Sequence, residues 1–271
     1  MNNQILFSAG PLLGRPYTET CRLIRCCKDK LHCDGFELMI SSGWYDQTDD
    51  IIRELAAANA NFQSTHFDKW IGELLSRDED GDREEAFNRF KINCKIAKQL
   101  GITLAVLHLW GGLPSDRHIE DNLAALPELV EIADQNGITL TVENIVCNQK
   151  DPLTHMIRLA ELYPDTIKFT IDTRQAAFHG LLEQTMTAPV LTPNRLSHVH
   201  ISDFGGNPME WEKLRQALPI GEGNTDFEPF FDNLRARNYE GKITLESYIT
   251  CETDESIEKA NQNLDYIRNH M

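Results

Sequence analysis

Short runs of apolar and β-branched residues alternate with longer amphipathic segments from one end of the chain to the other, the pattern produced by strands exchanging with helices. Eight runs read as strands: QILFSA, GFELMI, NFQSTH, TLAVLHL, ITLTVE, IKFTID, SHVHIS and KITLES. Each is followed by a segment of helical character. The clearest helices span Glu84 to Leu100, with Phe87, Phe90, Cys94 and Ala97 on one face, and Asn122 to Asn136, both spaced at the helical period. Gly101 and Gly137 follow these helices and precede Ile-led strands, where a glycine is suited to close a helix in the left-handed conformation. No Pro/Ser/Gly linker or low-complexity tract divides the chain, so one domain over 1–271 is expected. Eight such units in about 250 residues match the size of an α/β (β/α)8 TIM barrel. A doubly wound sheet fits less well, because the early turn SAGPLLGRP lacks the G-x-G-x-x-G phosphate fingerprint.

The chain has 271 residues, 41% of them hydrophobic, enough for one large core. Its formal net charge of −16 repels a phosphate backbone and argues against a nucleic-acid partner. No stretch approaches the ~20 apolar residues that span a bilayer. The opening MNNQILFSAG lacks a basic n-region and a sustained apolar run, so no membrane association and a cytoplasmic location are expected. The seven cysteines are odd in number and none falls in a CxxC pair, which favours reduced structural thiols over a disulfide framework or a thiolate metal site. The acidic run DEDGDREE from Asp78 to Glu85 reads as a solvated helix start, where negative charge is favourable.

The candidate chemistry lies at strand ends. Glu143 closes TLTVE, Asp172 closes KFTID, His200 lies in HVHIS and Glu246 in KITLES. In a barrel the C-terminal ends of parallel strands converge on one mouth, so these four can meet around one ion. An oxygen-rich set with one imidazole suits Mn2+, Mg2+, Co2+ or Zn2+ rather than a soft metal. Each alone has a structural alternative: a glutamate can be an ion-pair partner, and Asp172, followed by TRQAAFHG, is placed to cap a short helix. Burying several carboxylates together without a cation would be severely unfavourable.

Around that set, His66 and His108 end the third and fourth strands and face the same mouth, where they can contact a substrate hydroxyl, bind a second metal or fill a polar rim. His198 and His200 lie two apart and leave the same strand face, with depth separating their roles. Asp203 either touches the site or caps a loop. His179 precedes Gly180, and Trp110 precedes a Gly-Gly turn; both are further substrate-binding candidates. The loop PIGEG can offer amides to a phosphate or sugar, or be a plain turn. Trp44, Tyr45, Phe67, Trp70, Trp110, Phe204, Trp211 and Tyr248 lie near strand ends as a candidate apolar wall. Mouth aromatics such as Trp44 and Trp70 could instead serve a second copy in a homo-oligomer. His32, His118, His155 and His270 are expected at the surface.

Together VENIV, IDTRQAAFHG, HVHISD, PIGEGNTDF and ITLES resemble, over essentially the whole chain, the xylose isomerase-like TIM barrel superfamily. It holds sugar phosphate isomerases and epimerases, ketose 3-epimerases, hydroxypyruvate isomerases, inosose dehydratases and endonuclease IV-type enzymes. The resemblance implies one divalent metal on Glu143, Asp172, His200 and Glu246, with Glu143 and Glu246 as the proton-exchanging pair. It implies a metal-dependent isomerase or epimerase acting on a sugar, sugar phosphate or related polyhydroxy carbonyl compound. A dehydratase of the same fold, a zinc phosphodiesterase on abasic DNA and a non-catalytic sugar-binding barrel are the alternatives. Gln175, standing where ketose 3-epimerase-type and endonuclease IV-type relatives place His, and the acidic charge count against DNA cleavage.

Overall fold

Eight parallel strands close into a barrel in chain order, β1 pairing with β2 and onward until β8 returns to β1. The strands are β1 Ile5–Ser8, β2 Gly35–Met39, β3 Phe62–His66, β4 Leu104–Leu107, β5 Thr139–Glu143, β6 Phe169–Asp172, β7 Leu196–Ile201 and β8 Lys242–Leu245. Each falls within one of the eight predicted runs or exceeds it by a single residue, and the single-domain (β/α)8 TIM barrel is the observed architecture. The computed structural model describes residues 3–13, 17–77 and 79–271. Part of the SAGPLLGRP turn and Asp78 of the acidic run lie outside the described residues.

The larger outer helices are α1 Tyr17–Cys27, α2 Thr48–Ala57, α3 Trp70–Leu75, α4 Asp82–Gln99, α5 Ile119–Gln135 and α6 Pro152–Leu162. Four more, α7 Thr173–Phe178, α8 Leu182–Thr187, α9 Trp211–Leu214 and α10 Glu228–Ala236, precede the closing helix α11 Asp254–His270. The helices predicted at Glu84 and Asn122 begin two and three residues earlier, at Asp82 and Ile119. Gly101 and Gly137 adopt φ of 72° and 73°, so each ends its helix in the conformation that glycine takes at least cost. Among the described residues no helix is long and apolar enough to cross a membrane, and all seven cysteines are free thiols.

Strand alternation divides the side chains into two sets. Phe36, Leu38, Val199, Ile201, Ile243 and Leu245 are buried in the hydrophobic core. The alternate set, including Glu37, Ser64, Thr141, Thr170, His198 and Thr244, is equally buried but polar. These inward residues bond across the barrel: Thr141 Oγ1 lies 2.6 Å from Thr170 Oγ1, and Ser64 Oγ donates to Glu37 Oε2 at 2.8 Å. A polar column therefore runs up to the mouth, instead of the branched apolar layers usual in such barrels.

Candidate metal centre and active-site cavity

The register aligns Asp172 with His200 across the β6–β7 pair and His200 with Thr244 across β7–β8. Glu143 ends β5, and Glu246 follows β8 by one residue. One ligand atom from each of Glu143, Asp172, His200 and Glu246 lies within 4.8 Å of the others, and all four side chains are buried. His200 Nδ1 sits 3.1 Å from Glu143 Oε1 and 3.2 Å from Glu246 Oε2. Asp172 does both things its sequence context allows. Its Oδ1 accepts from Gln175 N at 2.8 Å and caps α7, while its Oδ2 is buried with no hydrogen-bond partner.

That orphan oxygen is a direct test of fit for a cation. Burial, reinforced by Glu143 and Glu246 and only partly offset by Arg174, pushes the Asp172 carboxyl up to about 7. Burial would also raise Glu143 and Glu246, but His108 and His200 hold Glu143 well below the usual carboxylate range, and His200 and Lys69 hold Glu246 at about 2. Burial alone would lower His200, yet Glu37, Glu246 and Glu143 raise it well above its ordinary value. Three carboxylates thus share one imidazole and leave one of their number under-compensated. A divalent ion would relieve this deficit, and the donor set of three oxygens and one nitrogen fits a hard or borderline metal.

Residues 29–270 match the model of the xylose isomerase-like TIM barrel family. The chain belongs to this family. Among solved structures it is similar to a D-allulose 3-epimerase from Methylomonas sp. in complex with D-allulose, at 16% identity and TM-score 0.75, covering 100% of this chain and 98% of that one. It is also similar to IolI protein with a bound zinc atom, at 16% identity and TM-score 0.74, covering 99% of each chain. A D-tagatose 3-epimerase-like protein follows at 18% identity and TM-score 0.70, covering 98% of this chain and 96% of that one. At these identities the likeness is one of fold. A comparison with curated proteins finds no match.

In this member of the family the cavity above the four candidate ligands has a volume of about 710 Å³. His108, Arg174, Gln175 and Glu246 line its inner end. Of the proposed proton-exchanging pair, only Glu246 reaches the wall. Glu143 lies behind it, with His108 Nε2 at 2.7 Å and His66 Nε2 at 3.2 Å from its Oε2. His66 is fully buried and Nδ1 contacts Phe67 O at 2.7 Å, so its expected hydroxyl contact is corrected to support of Glu143. His108 lines the cavity as expected, and burial lowers its imidazole to about 4. It is therefore neutral at pH 7 and acts as a hydrogen-bond partner rather than an acid.

Other expectations change as well. His198 lies below His200, with Nε2 2.8 Å from Glu37 Oε2 and 3.0 Å from Thr244 Oγ1; two residues of strand depth remove it from the substrate. Asp203 is a loop anchor, accepting from the amides of Phe204 and Thr225 on Oδ1 and of Gly221 and Gly223 on Oδ2, at 2.8–3.0 Å. Those bonds consume amides of the PIGEG loop and so withhold them from a phosphate, and a Cβ at Gly223 would come within 2.4 Å of Asp203 Oδ1. His179 Nε2 accepts from Cys147 N at 3.2 Å and holds the loop after β5. Trp110 is wholly buried, edge-on to His155 at 5.3 Å. His155 itself is buried against Asp116 Oδ2 at 2.9 Å rather than at the surface. Trp44, Phe67 and Phe204 are buried too, leaving Trp70, Trp211 and Tyr248 as the aromatic wall. Replacing Asp203 by Ala strips four amides of their acceptor. It is expected to lower stability by about 2–4 kcal/mol, measured as a shift of the urea midpoint at constant m-value.

Sequence reasoning missed Glu37. This fully buried carboxylate receives His198 on one oxygen and stands 3.0 Å from His200 Nε2 on the other. This places a carboxylate charge behind His200, although the two atoms make no hydrogen bond, while Nδ1 faces Glu143 and Glu246; a carboxylate behind the ring is the kind of partner that orients a metal-binding imidazole. The available signal was its phase: a lone acid two residues before Met39 in an otherwise apolar run, on the inward alternation of β2. Asn144 was missed as well. Its amide clamps both backbone polar groups of Asp172, accepting from N at 2.6 Å and donating to O at 3.1 Å. Glu37→Gln is expected to weaken metal affinity about 10–100-fold with little change in far-UV circular dichroism, measured by competition with a chelating dye.

Proposed function

We propose that this protein is a divalent-metal-dependent isomerase or epimerase of a sugar or related polyhydroxy carbonyl compound. The observation that carries the reading is the meeting of Glu143, Asp172, His200 and Glu246, with one orphan carboxylate oxygen, at the inner end of an open cavity. The similar solved structures support it, since one holds D-allulose and another zinc. Glu143, Asp172, His200 and Glu246 would hold the metal, Mn2+, Mg2+, Co2+ or Zn2+, which supplies positive charge to an enediolate formed beside the substrate carbonyl.

The chain's own groups do the rest. Glu246, at the cavity wall, takes the proton from the carbon next to the carbonyl. Returned from Glu246 to the neighbouring carbon, that proton completes isomerisation; epimerisation needs a second proton, delivered to the opposite face from Glu143 once Glu143 is itself protonated. His108 offers a neutral imidazole to a substrate hydroxyl. Gln175 lines the cavity with a buried carbonyl oxygen that has no protein partner, and so can accept from a second hydroxyl. Arg174, whose Nη1 is anchored to Leu214 O at 2.6 Å, keeps positive charge 3.6 Å from Asp172.

The test is metal analysis of the purified protein followed by a D2O exchange screen over tetroses, pentoses, hexoses and inososes. Deuterium uptake at one carbon with metal present is the expected result. Loss of water from the substrate would instead assign a dehydratase, and tight sugar binding without exchange would make the barrel a binding protein.

A further inference from the structure

We infer that the mouth of the cavity contains an outer subsite for a second sugar ring, so that the substrate is a glycosylated carbonyl sugar rather than a free monosaccharide; this rests on the isomerase or epimerase reading of the inner site. The cavity is lined by many more residues than the four at its inner end. Its volume of about 710 Å³ lies in the upper part of the ~300–1,000 Å³ range of pockets that enclose drug-sized ligands. Beside Glu246 and Gln175 its lining includes Trp70, Trp211 and Tyr248. These rings are 45%, 48% and 72% exposed, whereas Trp44 and Trp110 are buried. Among the described residues they are the exposed large aromatics, and all three face this one opening.

Two of the rings are held in place, Trp70 with Arg77 over one of its faces, while both remain about half exposed. Trp211 packs edge-on against Phe178 at 4.8 Å, and the Arg77 guanidinium lies 5.4 Å from the Trp70 ring centre. A fixed aromatic face matches the C–H face of a pyranose, which buries apolar surface without sacrificing hydroxyl hydration at its edge. The polar groups around the rings fit the same occupant. Asp68 is engaged by Tyr45 and Arg89, and Glu73 by Arg77. The Arg215 side chain is exposed and makes no hydrogen bond or ion pair among the described residues, and Lys69 is half-exposed with its nearest carboxylate, Glu246, at 3.9 Å. The rim thus carries two cationic donors, Arg215 and Lys69, suited to the hydroxyl, ring and glycosidic oxygens of a second sugar.

The experiment compares D-fructose with its glucosides turanose, maltulose and palatinose, and with fructose 6-phosphate, on the manganese-loaded protein. Binding is read from tryptophan fluorescence and ligand-observed NMR, and turnover from deuterium uptake. At least one glucoside should bind about tenfold more tightly than fructose, a gain that stacking on two fixed rings can supply. Trp70→Ala, Trp211→Ala and Tyr248→Ala should each erode that preference and change fructose binding less than about twofold. Glucosides binding no better than fructose would overturn the proposal, as would tightest binding of the phosphate. It would equally fall if the Trp variants kept the preference but converted a dimer into monomers, because the rings would then be an interface. Preference for a glucoside without deuterium uptake from any sugar would leave the subsite standing and remove the isomerase reading instead.

Discussion

Glu246→Gln is expected to reduce solvent-deuterium exchange into substrate by about 10²–10⁴-fold, the contribution of a positioned general base. Gln keeps the length and one carbonyl oxygen of the side chain, so the cavity wall retains its shape while the group that accepts the proton is gone. The carboxylate now reaches the cavity, and His200 and Lys69 hold it ionised. Glu143→Gln should also abolish turnover, but with an added sign. Both glutamates are proposed to hold the metal, but Glu143 is gripped by His66, His108 and His200, so its replacement disturbs the whole cluster and lowers metal content more than Glu246→Gln does. Exchange measured by NMR at saturating metal separates the two. Glu246→Gln protein that retained wild-type exchange would remove that residue from proton transfer.

Withdrawing the metal should be nearly as severe. A chelated and dialysed sample is expected to lose exchange activity, regain it with one equivalent of a suitable divalent ion, and melt at lower temperature. At a metal concentration of about 1,000 times Kd the bound ion adds about 4 kcal/mol of stability. Asp172→Asn is the informative partner. It keeps the Oδ1 acceptor that caps α7 yet removes the charge that burial and two neighbouring carboxylates disfavour, so the metal-free variant should be as stable as the metal-free parent or more so. In the parent without metal, a carboxyl raised to about 7 favours folding only while protonated. Stability should therefore fall as pH rises from about 4 toward and through 7, and added metal should abolish the fall. Thermal melts of both proteins across this range, with and without manganese, measure it. A variant that still bound one metal with parental affinity would exclude Asp172 as a ligand.

The strand ends were readable because their chemistry sits in phase with their periodicity. Glu143, Asp172, His200 and Glu246 each occupy the inward alternation at or beside the last position of a run, so the barrel expectation by itself brought them together. Glu37 obeys the same alternation, but in GFELMI it looks like an isolated interruption. Its meaning comes from His198 and His200, 161 and 163 positions away.

Loop residues were harder, because their partners are chosen by tertiary folding. Asp203 follows His200 by three residues and looks like a site residue, yet the chain turns it outward to collect the amides of residues 221–225. His179 and Trp110 were misplaced for the same reason. Trp44 and Trp70 resemble each other in sequence context, and only packing buries the first and leaves the second at the mouth.

The sequence by itself determined the eight strand-helix units, their closure as a barrel and the convergence of four side chains at its mouth, because strand period and chain order dictate which side chains share the inner face. Tertiary structure alone decided depth and exposure: which of two histidines on one strand meets the ligands, which glutamate reaches the cavity and which aromatics face solvent. Those outcomes depend on contacts between segments far apart in the chain, and no local pattern encodes them.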